Sequence, residues 1–345
     1  MKTGILLLNL GSPEAPTASA VRPYLREFLS DPRVIDIPAP LRWILLNAFI
    51  LPFRPRKSAE AYAKVWTSGG SPLVVHSRAF AEKLQGLLGD DYRVALAMRY
   101  GNPSIPSVLE ALLREPLKEL VILPLYPQYA SSSTGTAVEA ALRALAPQWN
   151  IPPVRVAGAF FDHPAWLNAM TENASARLAA FRPDHALFSY HGLPERHIRK
   201  SECVPGHCLA AGDACCASID ARNAFCYRAQ CFATTRALTA RLGLDPARVS
   251  TAFQSRLGRT PWIKPYTDEV LVTLAQSGVK RLAVFSPSFV ADCLETLEEM
   301  EIRGAESFRA AGGEALELIP ALNSSDIWVR TSAEILGISA PSVRP

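Results

Sequence analysis

The stretch ELVILPLYPQYASSSTGT, Glu119 to Thr136, holds a strand, a turn and the start of a helix. Its first half is apolar almost without interruption. A strand covered on one face alternates apolar and polar residues, so an unbroken run reads as a strand buried on both faces, the signature of a parallel sheet. The second half is polar: Tyr126 and Tyr129 flank Pro127, the hydroxyls of Ser131, Ser132, Ser133 and Thr134 follow, and Gly135 stands near the expected helix start. Small hydroxyls ahead of a helix are good N-caps, and an exposed helix start can hold a carboxylate or phosphate. A plain capped turn fits the same residues.

The pattern repeats along the chain. ILLLNL (Ile5 to Leu10), YRVALAM (Tyr92 to Met98), ELVILPLY (Glu119 to Tyr126) and VRVAGAFF (Val154 to Phe161) read as buried strands, and HALFSYH (His185 to His191), RVSTAFQ (Arg248 to Gln254), RLAVFSP (Arg281 to Pro287) and ALELIP (Ala315 to Pro320) continue the series. Between them lie stretches such as HPAWLNAMTENASARLAAF and YTDEVLVTLAQSG, with apolar residues three and four apart as in amphipathic helices. Strand and helix in alternation predict an α/β fold of two similar doubly wound, Rossmann-like domains, each on a four-stranded parallel sheet. The expected domains are 1–152 and 153–345, with a boundary near Trp149 to Pro153. A last helix over about 326–338 could pack on either half, and the tail GISAPSVRP reads as disordered. No internal repeat is strong enough to use.

Composition narrows the function classes. A chain of 345 residues can bury two ordinary cores without disulfide staples. The net charge of +4 comes from scattered Lys and Arg, so nothing argues for nucleic acid, while acidic small molecules or an anionic surface suit a mild positive excess. The start MKTGILLLNLGSPEAP has an apolar run too short for a signal peptide and reads as cytoplasmic. Leu41 to Phe53, LRWILLNAFILPF, is the longest apolar region; it is too short to span a bilayer and carries Arg42 and Asn47. There is no GxxxxGK[ST] motif, GSPEAP is not GxGxxG, and no serine sits in a GxSxG elbow, so a nucleotide cofactor has no support.

In open parallel sheets, ligands bind beyond the carboxyl ends of the strands. That rule selects NLGSPE, LYPQYASSSTGT, SYHGLPERH and SPSFVADCLETLEE. His191 follows an apolar run and precedes Gly192, where a neutral imidazole can bind a metal or accept a proton; a histidine that merely caps its loop fits as well. Glu295 and Glu299, four apart after Asp292, share a helix face, and a carboxylate pair at that spacing repels unless a cation or proton intervenes. Glu298 and Glu301 read as a solvated face. Arg256, Trp262 and Thr267 read as loop packing and a helix cap.

Taken together, LLNLGSPE, LYPQYASSSTGT, SYHGLPERH, TAFQSRLGRTPWIKPYTDE and FVADCLETLEEM resemble the ferrochelatases, in the family's order and over nearly the whole chain. The resemblance implies a chelatase-like fold and an enzyme, a lyase-type chelatase, that inserts Fe²⁺ into a porphyrin with release of two protons in haem biosynthesis. Protoporphyrin IX is the expected porphyrin. It assigns His191 and Glu295 to catalysis and to the substrate iron, and Tyr126, Tyr129, Ser131, Ser132, Ser133 and Thr134 to the porphyrin. Residues 38–53 correspond to the family's apolar lip, a porphyrin entrance or a peripheral membrane contact through 41–53; an ordinary core helix is the competing reading. Where some relatives have histidine two residues before the glutamate, this chain has Cys293, which puts a proton relay there in question. Other readings are a chelatase for cobalt or for coproporphyrin, and a non-catalytic haem or porphyrin carrier.

Six of the seven cysteines fall between Cys203 and Cys231. Relative to the simplest bacterial members of the family, about 202–226 reads as an insertion, and some members carry a [2Fe–2S] cluster in such an insertion. The resemblance therefore implies a cluster held by Cys208, Cys215, Cys216 and Cys226, with Cys203 as substitute and Cys231 as packing. Zinc, with His207 beside Cys208, and disulfides remain alternatives.

Overall fold

The computed structural model describes residues 1–209, 214–258 and 260–338. β1 (Lys2–Gly11), β2 (Tyr92–Tyr100), β3 (Leu117–Pro124) and β4 (Val154–Val156) form one sheet in the order β2-β1-β3-β4. β5 (His185–His191), β6 (Val249–Gln254), β7 (Arg281–Phe285) and β8 (Ala315–Leu318) form a second in the order β6-β5-β7-β8. Every pairing is parallel. Helices connect the strands, so the architecture is the expected pair of four-stranded, doubly wound sheets, and both sheets have the same strand order.

The apolar runs become strands because the chain can hide both of their faces. Ile5, Leu6, Leu7 and Leu8 of β1 are all fully buried, as are Leu120, Val121, Ile122 and Leu123 of β3 and Leu187, Phe188 and Tyr190 of β5. At roughly 1.5–3 kcal/mol for each buried aliphatic or aromatic side chain, these strands are the main apolar reservoir of each unit. The expected strand Val154 to Phe161 is much shorter. Only Val154–Val156 is paired, to β3 alone, and as an edge strand it leaves Arg155 and Val156 exposed.

Two compact units follow from the contacts. One comprises Met1–Leu125, Ser131–Gly158 and the described residues from Ser324 onward; the other comprises Tyr126–Ala130 and Ala159–Asn323. The division therefore lies past the expected 152/153 boundary, because β4 belongs to the first sheet. Helix Asp326–Ile335 lies in the first unit, where Trp328 stacks on Phe80 of helix Pro72–Leu88 at 5.4 Å. Of the tail expected to be disordered, residues 339–345 lie outside the described residues.

Within the first unit, a polar network holds the helical segment that starts at Ser131. Asp31, with only 3% of its side chain exposed, accepts from Arg99 at 2.5 Å, Tyr100 at 2.9 Å and Thr136 at 2.5 Å. Burial alone would raise this carboxyl, but hydrogen bonds from Thr136, the Arg33 N–H and Tyr100, together with the Arg99 charge, hold it below the usual carboxylate range. Arg33 in turn donates to Ser131 at 2.7 Å and to Glu139 at 2.5 Å. The winding already begins at Ser131, so Gly135 sits inside it and the hydroxyl run is not an N-cap.

The apolar lip forms helix Ala39–Ile44 and a π-wound continuation, Leu45–Ile50. Leu46 and Leu51 are buried, yet Trp43, Phe49 and Phe53 are 67%, 66% and 74% exposed, which overturns the reading of an ordinary core helix. No helix among the described residues is long and apolar enough to cross a membrane.

Candidate active site

His191 ends β5. Its Nδ1 lies 2.7 Å from the Gly192 carbonyl, and since that oxygen can only accept, Nδ1 carries the hydrogen and the neutral ring keeps its lone pair on Nε2. Gly192 is required by packing: a Cβ there would stand 2.7 Å from the Gln254 carbonyl and 3.2 Å from the Trp262 ring. The Gly192 N–H donates to the same Gln254 carbonyl at 2.8 Å, and the Phe289 ring lies 6.4 Å from the imidazole.

Glu295 sits in the first turn of a π-wound helix, Leu294–Gly304, which follows the loop after β7 and continues as the helix Ala305–Ala310. Cys293 caps this helix: its sulfur accepts from the Thr296 N–H while the Thr296 hydroxyl accepts from the Cys293 N–H. Burial first, then the Glu295 charge and a hydrogen bond to that carboxylate, push the Cys293 thiol well up. A buried, protonated thiol is a donor to Glu295 and a poor relay near neutral pH. Asp292, also buried, accepts from Thr296, the Ala321 N–H and Asn323, so it anchors the helix start.

The glutamates of this helix have separate fates. Glu299 accepts from the Ser255 N–H at 2.9 Å, the Ser255 hydroxyl at 2.5 Å and Gln254 at 3.3 Å. It thereby holds Ser255 at φ +66°, a left-handed conformation that a non-glycine residue rarely adopts. Gln254 also donates to the Glu295 carbonyl at 2.9 Å and accepts from Ser189 at 2.7 Å. As Gln254 pairs in register with His191, a single residue joins the His191 strand to the Glu295 helix. Glu298, expected on a solvated face, is instead buried and ion-paired with Arg303 at 2.8 Å; the π winding turns that position inward. Glu301 is exposed as expected.

The residues after β3 have mixed surroundings. Tyr126 is buried. Tyr129 is half-buried, with its N–H on Gln230 at 2.7 Å and its ring edge-on to Phe225 at 5.9 Å. Ser131, Ser132 and Ser133 are half-buried, Ser131 receiving Arg33, while the buried Thr134 hydroxyl has no hydrogen-bond partner among the described residues.

All seven cysteines are free thiols. Cys208, Cys215, Cys216 and Cys226 are buried, whereas Cys203 is exposed. Cys226 lies near enough to Cys208 and Cys216 to act on both thiols, and the Cys215 and Cys216 sulfurs are 3.8 Å apart, so the four form one group. Arg228 donates to the Cys216 sulfur at 3.3 Å and Arg236 to its carbonyl at 2.9 Å. Burial pushes the Cys208 and Cys215 thiols up; the hydrogen bond to Cys226, then burial, push Cys216 up. Among the described residues no three His, Cys, Asp or Glu side chains are placed to hold a single metal ion. Part of the expected insertion, residues 210–213, lies outside the described residues. Cys231 is fully buried in helix Tyr227–Arg241.

Sequence reasoning missed four residues that shape the site: Tyr227, Gln254, Ser255 and Ser288. The strand-end rule that selected His191 could have found Gln254 and Ser255 at the end of β6 and Ser288 after β7. No sequence signal points to Tyr227.

Comparison with known proteins bears on this arrangement. Among solved structures, sirohydrochlorin chelatase SirB from Bacillus subtilis subspecies spizizenii in complex with cobalt matches 98% of this chain and 94% of its own, with TM-score 0.53 and 11% identity. SirB from Bacillus subtilis with Fe³⁺ gives the same values, and at this identity the likeness concerns the fold. A protein titled ferrochelatase from Coxiella burnetii (strain Dugway 5J108-111) is 47% identical over 334 residues, covering 97% of this chain and 93% of that protein. Another so titled, from Legionella pneumophila (strain Lens), is 47% identical over 341 residues, covering 97% and 99%. The ferrochelatase family model matches residues 2–337, and with relatives this similar over nearly their full length the chain belongs to the ferrochelatase family.

Proposed function

We propose that this chain inserts Fe²⁺ into a porphyrin with release of two protons, in haem biosynthesis, with protoporphyrin IX as its porphyrin. Family membership over residues 2–337 carries the reading. Metal insertion removes a proton from each of two pyrrole nitrogens, so a base must reach the macrocycle. His191 takes that role through Nε2, since Nδ1–H is committed to the Gly192 carbonyl. Glu295 supplies a hard oxygen ligand to the ferrous substrate and a second proton acceptor, with Cys293 donating to it, and a single carboxylate binds weakly enough for the iron to leave. Tyr126, Tyr129, Ser131, Ser132, Ser133 and Thr134 contact the porphyrin. The exposed Trp43, Phe49 and Phe53 support the lip over 38–53 as an apolar entrance and, through 41–53, a peripheral membrane contact.

Cys208, Cys215, Cys216 and Cys226 would hold a [2Fe–2S] cluster, which needs four thiolates shared between two irons. What supports the fit is the donor set: four buried, free thiols gathered in one group, with a guanidinium beside one sulfur. A bound cluster would supply one-electron chemistry and a cross-link for its loop. Iron insertion involves no net electron transfer, so no step of it passes through the cluster.

The test is an anaerobic insertion assay with Fe²⁺ or Co²⁺ against protoporphyrin IX and coproporphyrin, followed by porphyrin absorption. Fe²⁺ with protoporphyrin IX should give the highest kcat/KM. A higher value for coproporphyrin or for Co²⁺ would replace the proposed substrate, and tight haem retention without any insertion would favour a carrier. The anaerobically purified protein should show the visible absorption of an iron–sulfur cluster; a colourless, zinc-containing product would end the cluster reading.

A further inference from the structure

β5 pairs with β6 as far as His191, but its pairing with β7 stops at Phe188. Along a strand, successive residues direct their backbone polar groups to opposite sides. Since the Gly192 N–H bonds β6, the N–H and C=O of His191 point the other way, where no strand continues among the described residues. Left alone, both groups would lack ladder partners at the point where the imidazole must be held still.

Two side chains supply what the ladder does not. The His191 N–H donates to the Ser288 hydroxyl at 3.3 Å, and the Tyr227 hydroxyl donates to the His191 carbonyl at 2.9 Å. Tyr227 and Ser288 are 2.8 Å apart. Because the single Tyr227 proton goes to the carbonyl, Ser288 must donate to Tyr227. Each proton then has one place: His191 N–H to Ser288, Ser288 to Tyr227, Tyr227 to the His191 carbonyl. This closed ring fixes the peptides on both sides of the His191 Cα, and the carbonyl of Gly192 orients Nδ1.

Tyr227 is the first residue of helix Tyr227–Arg241, and the cap of that helix is Cys226, a member of the cysteine group beside Cys208 and Cys216. Phe225, on the other side of Cys226, packs on Tyr129. We propose that Tyr227 and Ser288 are positioning residues for His191, and that Cys226 makes their ring depend on the integrity of the cysteine group. The inference rests on the reading above that His191 is the base and that the four cysteines bind a cluster.

The experiment is carried out on the intact, cluster-loaded protein. Tyr227→Phe and Ser288→Ala each break the ring at one point while leaving every cysteine in place. With misplacement of a reacting group costing up to about a hundredfold, we expect kcat to fall roughly ten- to a hundredfold, with KM for the porphyrin within about twofold and cluster absorption unchanged. The readout independent of turnover is the ¹⁵N spectrum of His191, which should show the Nδ1–H tautomer in the parent and a mixture in either variant. Cys226→Ser, or removal of the cluster with a chelator, should produce the same mixture. A parent-like spectrum and kcat in both ring variants would overturn the positioning role, and a parent-like spectrum after loss of the cluster would overturn the coupling. If His191→Ala still turns over, the assignment of the base fails instead, and the spectra still report on the ring.

Discussion

β1 and β5 are central strands of their sheets, and both run into a glycine: Gly11 at the end of β1 and Gly192 just after β5. At Gly11 a Cβ would stand 1.8 Å from the Tyr100 carbonyl, and at Gly192 it would stand 2.7 Å from the Gln254 carbonyl. Tyr100 and Gln254 end β2 and β6, the strands in equivalent places of the two sheets. Even the bracing is alike: Tyr24 donates to the Gly11 carbonyl at 3.2 Å and Tyr227 to the His191 carbonyl at 2.9 Å. The residue before the glycine differs, Leu10 in one and His191 in the other. Nearby charge differs as well, since Asp31, Arg99, Tyr100 and Thr136 satisfy one another, whereas His191 Nε2 has no hydrogen bond among the described residues. The same strand ending thus serves packing in one unit and presents a lone pair in the other.

Removing the side chain that distinguishes the two endings should have the largest effect. His191→Ala should lower the anaerobic kcat for iron insertion by about a thousandfold, within the range of general-base contributions, with the melting temperature little changed. Leu10→Ala should do the reverse, costing about 1–2 kcal/mol of stability and leaving kcat within about twofold. A Leu10 variant as inactive as the His191 variant would mean that the two endings are not functionally distinct.

A second contrast lies within one helix. Glu299 spends its carboxylate on Ser255 and Gln254, so Glu299→Gln should lower stability by about 1–2 kcal/mol in urea unfolding, chiefly by releasing the strained Ser255. Glu295→Gln should leave stability nearly unchanged and lower kcat by about a hundredfold. Exchange of these two outcomes would reverse the roles assigned to the pair.

The first unit offers the pH test. The folded Asp31 carboxyl is held below its unfolded value, so its contribution is fully present above the unfolded pKa of about 3.9 and is lost as pH falls through the lower folded value. Asp31→Asn should therefore cost about 3 kcal/mol at pH 7, because it leaves Arg99 without its partner. The difference from the parent protein should shrink as urea unfolding is repeated from pH 5 toward pH 2. A constant difference over that range would show that the carboxylate is not what stabilises the network.

How much of this could be read from the sequence follows from what each feature depends on. Strands buried on both faces announce themselves as unbroken apolar runs, so all eight were legible, and so was His191 at the end of one. VRVAGAFF is longer than the strand it contains because an edge strand lasts only as far as its pairing, which ends at Val156 opposite Ile122, although both β3 and the apolar run go on. The unit boundary was displaced because the chain crosses back at Tyr126–Ala130 and again after Asn323, long-range choices without a local pattern. Tyr227 and Ser288 are 61 positions apart, and no periodicity joins them. The burial of Glu298 has no sequence signal, because a π-wound helix presents different neighbours from those of the α-helical period.

Glu298 is the site of the smallest expected effect. The Glu298 side chain is 5% exposed and that of its partner Arg303 is 55% exposed, so the pair is buried at one end and open to solvent at the other. Glu298→Gln keeps the shape of the side chain and removes both the ion pair and the cost of burying a carboxylate. These terms oppose each other, and pairs open to solvent are worth little, so the net loss should be about 1 kcal/mol or less. Because the Glu298 carboxylate is buried and committed to Arg303, kcat should stay within about twofold. Urea unfolding and the insertion assay on the same preparation measure both quantities. A fall in kcat comparable to that of Glu295→Gln would mean that the π winding does not separate the two carboxylates, and the division of this helix into a catalytic and a structural side would be lost.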